Sequence, residues 1–101
     1  MADLQPTRGH EQAGRRPILI VSNETFNHSA TVIAMAITGQ AQRVPFPLTF
    51  KLDEEVTGRR AWVKISHIRT LSTERLEKRI GHASNDVVDK IVEGLNEIIQ
   101  K

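Results

Sequence analysis

The chain has 101 residues, 39% hydrophobic and 26% charged, the size and composition of one globular domain spanning residues 1–101. Its longest unbroken apolar run, Val32 to Ile37, is too short to cross a bilayer, and cysteine is absent, so a membrane span, a disulfide framework and thiolate metal ligation are excluded. The net charge is only +2, but nine basic residues face six acids up to Thr70, while five face six from Leu71 on. An anion-binding surface is therefore expected on the first two-thirds.

Residues 1–17 hold two glycines, two prolines and few apolar side chains, and read as loop. Ile18 to Val21 is short and β-branched, a buried strand. Ser22 to Ser29 reads as a turn broken by Asn23, Asn27 and Ser29. Thr31 to Thr38 is a second strand, closed by Gly39, and a loop with Pro45 and Pro47 follows. Leu48, Phe50 and Leu52 alternate with Thr49, Lys51 and Asp53, and Ala61, Val63 and Ile65 with Trp62, Lys64 and Ser66, where Trp62 reads as packing or a dimer contact rather than a base-stacking platform. Both stretches have the period of a half-buried strand, and an acidic-to-basic turn around Gly58 joins them. Ser72 is positioned to cap a short helix from Thr73 to Arg79, which Gly81 would end. Ser84 is positioned to cap a longer one, in which Val87, Val88, Ile91, Val92, Leu95, Ile98 and Ile99 recur on one face as core and Lys101 closes the end. The order predicts an α+β or small antiparallel barrel with sequentially paired strands and a packed C-terminal helix.

The four histidines are scattered without ligand spacing, and no phosphate-cradling glycine motif or Gly-x-Ser-x-Gly elbow occurs, so no metal and no cofactor are expected. The dense polar cluster is the stretch from Pro6 to Pro17, with Arg8, His10, Glu11, Gln12, Arg15 and Arg16. Cutting RNA with its own 2′-hydroxyl requires a proton acceptor, a group that holds the charge of the crowded phosphate, and a proton for the leaving oxygen. Glu11 has the chemistry for the first task and Arg16, through paired N–H bonds, for the second. The plain alternative is a solvated loop with an incidental Glu–Arg pair.

The stretch Pro6-Thr7-Arg8-Gly9-His10-Glu11-Gln12-Ala13-Gly14-Arg15-Arg16-Pro17 with Ile18 to Ser22 resembles the opening loop and second strand of MazF/PemK-type toxins, sequence-specific endoribonucleases of bacterial toxin–antitoxin pairs. The resemblance continues through Phe26-Asn27, Thr31 to Gly39, Ile68 to Leu71, Arg75 to Gly81 and the last helix. It implies a small SH3-like antiparallel barrel with a short helix and a C-terminal helix, acting as a homodimer. It implies metal-independent, ribosome-independent cleavage of single-stranded RNA to 2′,3′-cyclic phosphate and 5′-hydroxyl ends. Arg16 would be the main catalytic residue, with Thr38 supporting the phosphate and Glu11 as acid, base or positioning group. Because a guanidinium is a poor acid, charge stabilisation is the primary role expected of Arg16. Arg8, His10, Gln12, Arg15, Asn23, Arg43, Ser66 and His67 form the expected RNA-binding set.

The resemblance further implies a MazE-like antitoxin whose extended C-terminal segment covers the RNA groove, contact with DNA only through that antitoxin complex, and no membrane. A cytoplasmic location is expected, since no basic start leads into a long apolar stretch. Two departures stand out. Only Asp3-Leu4-Gln5 matches the end of the family's first strand, so a truncated strand and an open sheet edge are expected. Ser66-His67 occupies the place where the family carries an acid followed by glutamine. Two rival functions follow: a shortened homologue that binds RNA or antitoxin without cutting, and a gyrase poison of the CcdB type, which would act through a C-terminal tail.

Overall fold

The computed structural model describes residues 6–11, 14–27 and 29–100, with side chains described from residue 16 on, that of Lys78 apart. Its strands are β1 (Pro6–Glu11), β2 (Gly14–Ile20), β3 (Thr31–Thr38), β4 (Thr49–Leu52), β5 (Ala61–Ser72) and β6 (Leu76–Arg79). Two one-turn helices, α1 (Glu24–Asn27) and α2 (Glu54–Thr57), sit in the connections, and α3 (Asn85–Ile99) follows the last strand. All six strands form one antiparallel sheet in the order β4-β5-β3-β2-β1-β6. This is the small α+β plan expected, although the pairing is not wholly sequential: β5 passes over β4 to reach β3, and β6 returns to β1.

The apolar alternation of the strands separates two cores. On one face, Leu19, Met35, Ile37, Leu52, Ala61, Val63 and Ile65 are buried with Ala83, Val88 and Ile91 beneath α3. On the other, Ile18, Ile20, Val32, Ala34 and Leu71 are buried, with Leu76 packed against them. β5 contributes to both cores, because its ladder with β3 is interrupted. Met35 pairs with Ile68 while the next residue, Ala36, pairs with Lys64, so Ile65, Ser66 and His67 have no rung on β3. A bulge of this kind turns the strand and changes which face its side chains meet.

The first expected loop is in fact a hairpin. β1 pairs with β2 from Pro6↔Leu19 to Glu11↔Gly14, and its other side is met by β6 at Thr7↔Arg79 and Gly9↔Leu76. The truncated strand and open edge expected from Asp3-Leu4-Gln5 lie outside the described residues; within them, β2 is flanked by β1 and β3. Composition pointed to a loop because glycine and proline are poor strand formers; backbone pairing on both sides overrides that preference.

The expected helix over Thr73 to Arg79 is also corrected. The Glu74 N–H does donate to Ser72 Oγ at 3.2 Å, but the helical part is a single 3-10 turn, Thr73–Arg75, before the chain extends into β6. A helix of two turns is marginal on its own, and here Leu76 joins a buried cluster as a strand residue. The longer helix begins as expected, with the Val87 N–H donating to Ser84 Oγ at 3.2 Å. Its apolar stripe is not all core: Val88 and Ile91 are buried, whereas Val92, Ile98 and Ile99 are exposed. Lys101 lies outside the described residues.

Candidate nucleic-acid interface

The site grows from one end of the β2–β3 pair. Their ladder runs from Ile20↔Ala34 to Ile18↔Ala36 and stops there. The next residue on β2, Pro17, has no N–H to offer a further rung. Continued by two residues, the same register sets Arg16 opposite Thr38, just past the last rung. Side-chain alternation places both on one face: Arg16 shares the parity of buried Ile18 and Ile20, and Thr38 that of Val32 and Ala34. Arg16 is exposed and Thr38 half-buried. Thr38 Oγ1 accepts the Gln40 N–H at 3.2 Å, which holds the hydroxyl at the strand end.

The row extends on both sides. Gly9 of β1 pairs with Arg16, Thr38 with Trp62 of β5, and Trp62 with Lys51 of β4. Trp62 opposes the inward Ala61, Val63 and Ile65, so its ring lies on the Thr38 face. Lys51 Nζ stands 5.7 Å from the ring centre and the Arg60 guanidinium 5.6 Å from it. The result is a strip of basic, hydroxyl and aromatic side chains across the sheet, which suits a polyanion carrying flat bases.

The remaining expected residues fall into three groups. Arg8 and His10 lie on β1 opposite Pro17 and Arg15, and Glu11 ends that strand opposite Gly14. Glu11 is thus two residues, about 7 Å of strand, from the Arg16 rung. Gln12 lies outside the described residues. Ser66 and His67 are exposed in the β5 bulge, at the level of Met35 and Ala36. Arg43 is exposed and lines a cleft of about 400 Å³ with Phe46, Phe50, Lys51 and Trp62. Asn23 stands apart from the rest. It lies past the other end of β2, where its Oδ1 accepts the Phe26 N–H at 3.0 Å and caps α1. Four residues separate Arg16 from Ile20 alone, about 13 Å of strand, so Asn23 is not brought to the Arg16 row.

Sequence reasoning favours packing or a dimer contact over base stacking for Trp62 and gives Lys51 no role, because cross-strand neighbours depend on register. The alternation of Trp62 and Lys64 with buried residues was the available signal, but it could not show that Thr38 is the partner. Among the described residues no group of three or more His, Cys, Asp or Glu gathers as a metal site.

Comparison with known proteins identifies the family and the fold. Residues 1–99 match the family described as PemK-like, MazF-like toxin of type II toxin-antitoxin system. Endoribonuclease EndoA of Bacillus subtilis (strain 168) is 37% identical over 97 residues, covering 93% of this chain and 84% of that protein. An endoribonuclease in complex with its cognate antitoxin from a mycobacterial species superposes with a TM-score of 0.81 at 26% identity, over 93% of this chain and 89% of that one. The fold is also that of MazE-MazF from Deinococcus radiodurans, with a TM-score of 0.82 at 20% identity over 98% and 95% of the two chains. The chain belongs to the family of PemK-like, MazF-like toxins of type II toxin–antitoxin systems.

Proposed function

We propose that this protein is the toxin of a type II toxin–antitoxin pair and cuts single-stranded RNA within the strip that contains Arg16 and Thr38. The observation that carries this reading is the register that sets those two residues opposite each other past the end of the β2–β3 ladder. The 2′-oxygen attacks the adjacent phosphorus and the bond from phosphorus to the 5′-oxygen breaks. The products are a 2′,3′-cyclic phosphate and a 5′-hydroxyl. Glu11 accepts the 2′-hydroxyl proton, and the leaving oxygen takes a proton from water or from Arg16. Arg16 holds the charge on the non-bridging oxygens with paired N–H donors, and the Thr38 hydroxyl donates to the same phosphate. Proton transfer and charge stabilisation in this scheme use Glu11, Arg16, Thr38 and water, so cleavage is expected in the presence of EDTA.

The relatives supply the context. EndoA is named an endoribonuclease, and the mycobacterial structure is a complex with an antitoxin. A MazE-like antitoxin covering the RNA-binding strip, a homodimer and a cytoplasmic location complete the proposal. No helix among the described residues is long and apolar enough to cross a membrane.

The test is incubation of the purified chain with single-stranded RNA in EDTA, with both new ends mapped. Cleavage at a short fixed sequence, leaving cyclic-phosphate ends, is expected. Arg16→Ala should lose about 10²–10³ in rate, the cost of removing one preorganised charge-stabilising group. An Arg16→Ala protein that cuts like the wild type would refute the mechanism, and a wild type that binds RNA without cutting would favour the binding-only homologue. Light scattering should give a dimer mass, and a monomer mass would contradict the assembly.

A further inference from the structure

We infer that Trp62 is a base-stacking platform for RNA, seating a nucleobase beside the scissile phosphate, with Lys51, Arg60 and Arg43 taking the flanking backbone. The inference rests on the endoribonuclease reading and adds a subsite to it. Trp62 is the cross-strand partner of Thr38, and both side chains lie on one face. Two strand spacings, about 10 Å, separate Trp62 from Arg16. A nucleotide flanking the phosphate held by Arg16 and Thr38 therefore reaches the indole.

The surroundings favour a nucleic acid over an apolar partner. The ring is half-buried and carries two cations, Lys51 Nζ at 5.7 Å and Arg60 at 5.6 Å. It borders the cleft of about 400 Å³, whose charged lining consists of Arg43, Lys51 and Lys90 against the single acid Glu93. Phe46 and Phe50, edge to face with centroids 6.4 Å apart, form an apolar wall of the same cleft. A purely packing tryptophan needs no ring of cations, whereas a stacked base brings a phosphate on either side that such cations neutralise. Exchange of partners on the ring is favourable. A cation over an exposed ring is worth a factor of about 2–5 in an equilibrium constant, and a base stacked on an aromatic side chain about 5–150. The displaced ammonium and guanidinium groups then pair with phosphate.

Trp62 is the only tryptophan of the chain, so its fluorescence reports this subsite directly. The full-length protein is titrated with an uncleavable 2′-O-methyl RNA twelve nucleotides long and of mixed sequence, and with an abasic oligonucleotide of equal length. Binding is followed independently by the anisotropy of a dye on the oligonucleotide. The RNA is expected to quench Trp62 as it binds, and the abasic chain to bind more weakly without quenching. Trp62→Ala should raise the RNA Kd about 5- to 150-fold, whereas Trp62→Phe, which keeps a stacking face, should stay within about threefold of wild type. Circular dichroism and urea midpoints verify that both variants are folded; Trp62→Phe serves as the binding control if the alanine variant is not.

Three results overturn the inference. Quenching by RNA could be absent while anisotropy and cleavage both show RNA engaged; the subsite then fails and the endoribonuclease reading survives. If no RNA binds, the inference falls together with that reading. A fluorescence response to a glutamate-rich decapeptide with two central leucines, and none to RNA, would assign the strip to protein docking instead.

Discussion

Replacing Gly94 with alanine tests whether the α3 packing described above is as tight as its distances say. A Cβ at this position would stand 2.8 Å from Phe46 Cε1 and 3.0 Å from Ile65 Cδ1, against about 3.5–4.0 Å for carbon atoms in ordinary contact. Propensity alone favours alanine inside a helix by about 1 kcal/mol. Overpacking a filled site costs about 1–3 kcal/mol, and the two neighbours differ in how they can yield. Ile65 is fully buried and has nowhere to go. Phe46 is 42% exposed and can swing outward, but it then gives up its edge-to-face contact with Phe50, worth about 0.5–1.5 kcal/mol beyond area. The sum is a net loss of about 1 kcal/mol, or a Tm lower by about 4–8 °C for a domain of this size. Urea unfolding with unchanged m-value is the assay. Combining the change with Phe46→Ala should remove part of its cost, a coupling that a double-mutant cycle reads. A Gly94→Ala protein more stable than wild type by about 1 kcal/mol would show that helix propensity rules and that the close approach has no energetic weight.

Other expectations follow from single residues. Ile91→Ala empties a fully buried position between α3 and the sheet and should cost about 2–5 kcal/mol in urea unfolding. Ala30 has φ 70°, in the left-handed region, so Ala30→Gly should raise stability by about 0.5–1 kcal/mol in the same assay. Thr38→Val keeps the shape but removes the hydroxyl; kcat/KM for RNA should fall about 10- to 100-fold while the unfolding free energy in urea stays within about 0.5 kcal/mol of wild type. An unchanged kcat/KM would remove Thr38 from the phosphate site.

What could be read from the residues was what local physics decides. The bounds of Thr31–Thr38 follow from an apolar run between two threonines, ended by Gly39, and the start of α3 from Ser84 accepting the Val87 N–H. β1 and β6 were missed because their extended form is stabilised by each other and by β2, residues distant in sequence. The exposure of Ile98 and Ile99 has a similar origin: the helix stripe runs past the end of what the sheet covers. Arg16 and Thr38 were legible one at a time, through the family resemblance. Their juxtaposition depends on the β2–β3 register, and the place of Trp62 in the same row on a second register, neither of which composition encodes. Asn23, grouped with the RNA-binding residues by resemblance, is engaged in capping α1 at the far end of β2.

The interruption of β5 has an evolutionary consequence. Ser66 and His67 project from the sheet at a point where neither β3 nor β4 offers them a rung, and both are open to solvent. Mutational drift at these two codons leaves the ladder and both cores intact, so this point of the surface is free to diversify while foldability is conserved.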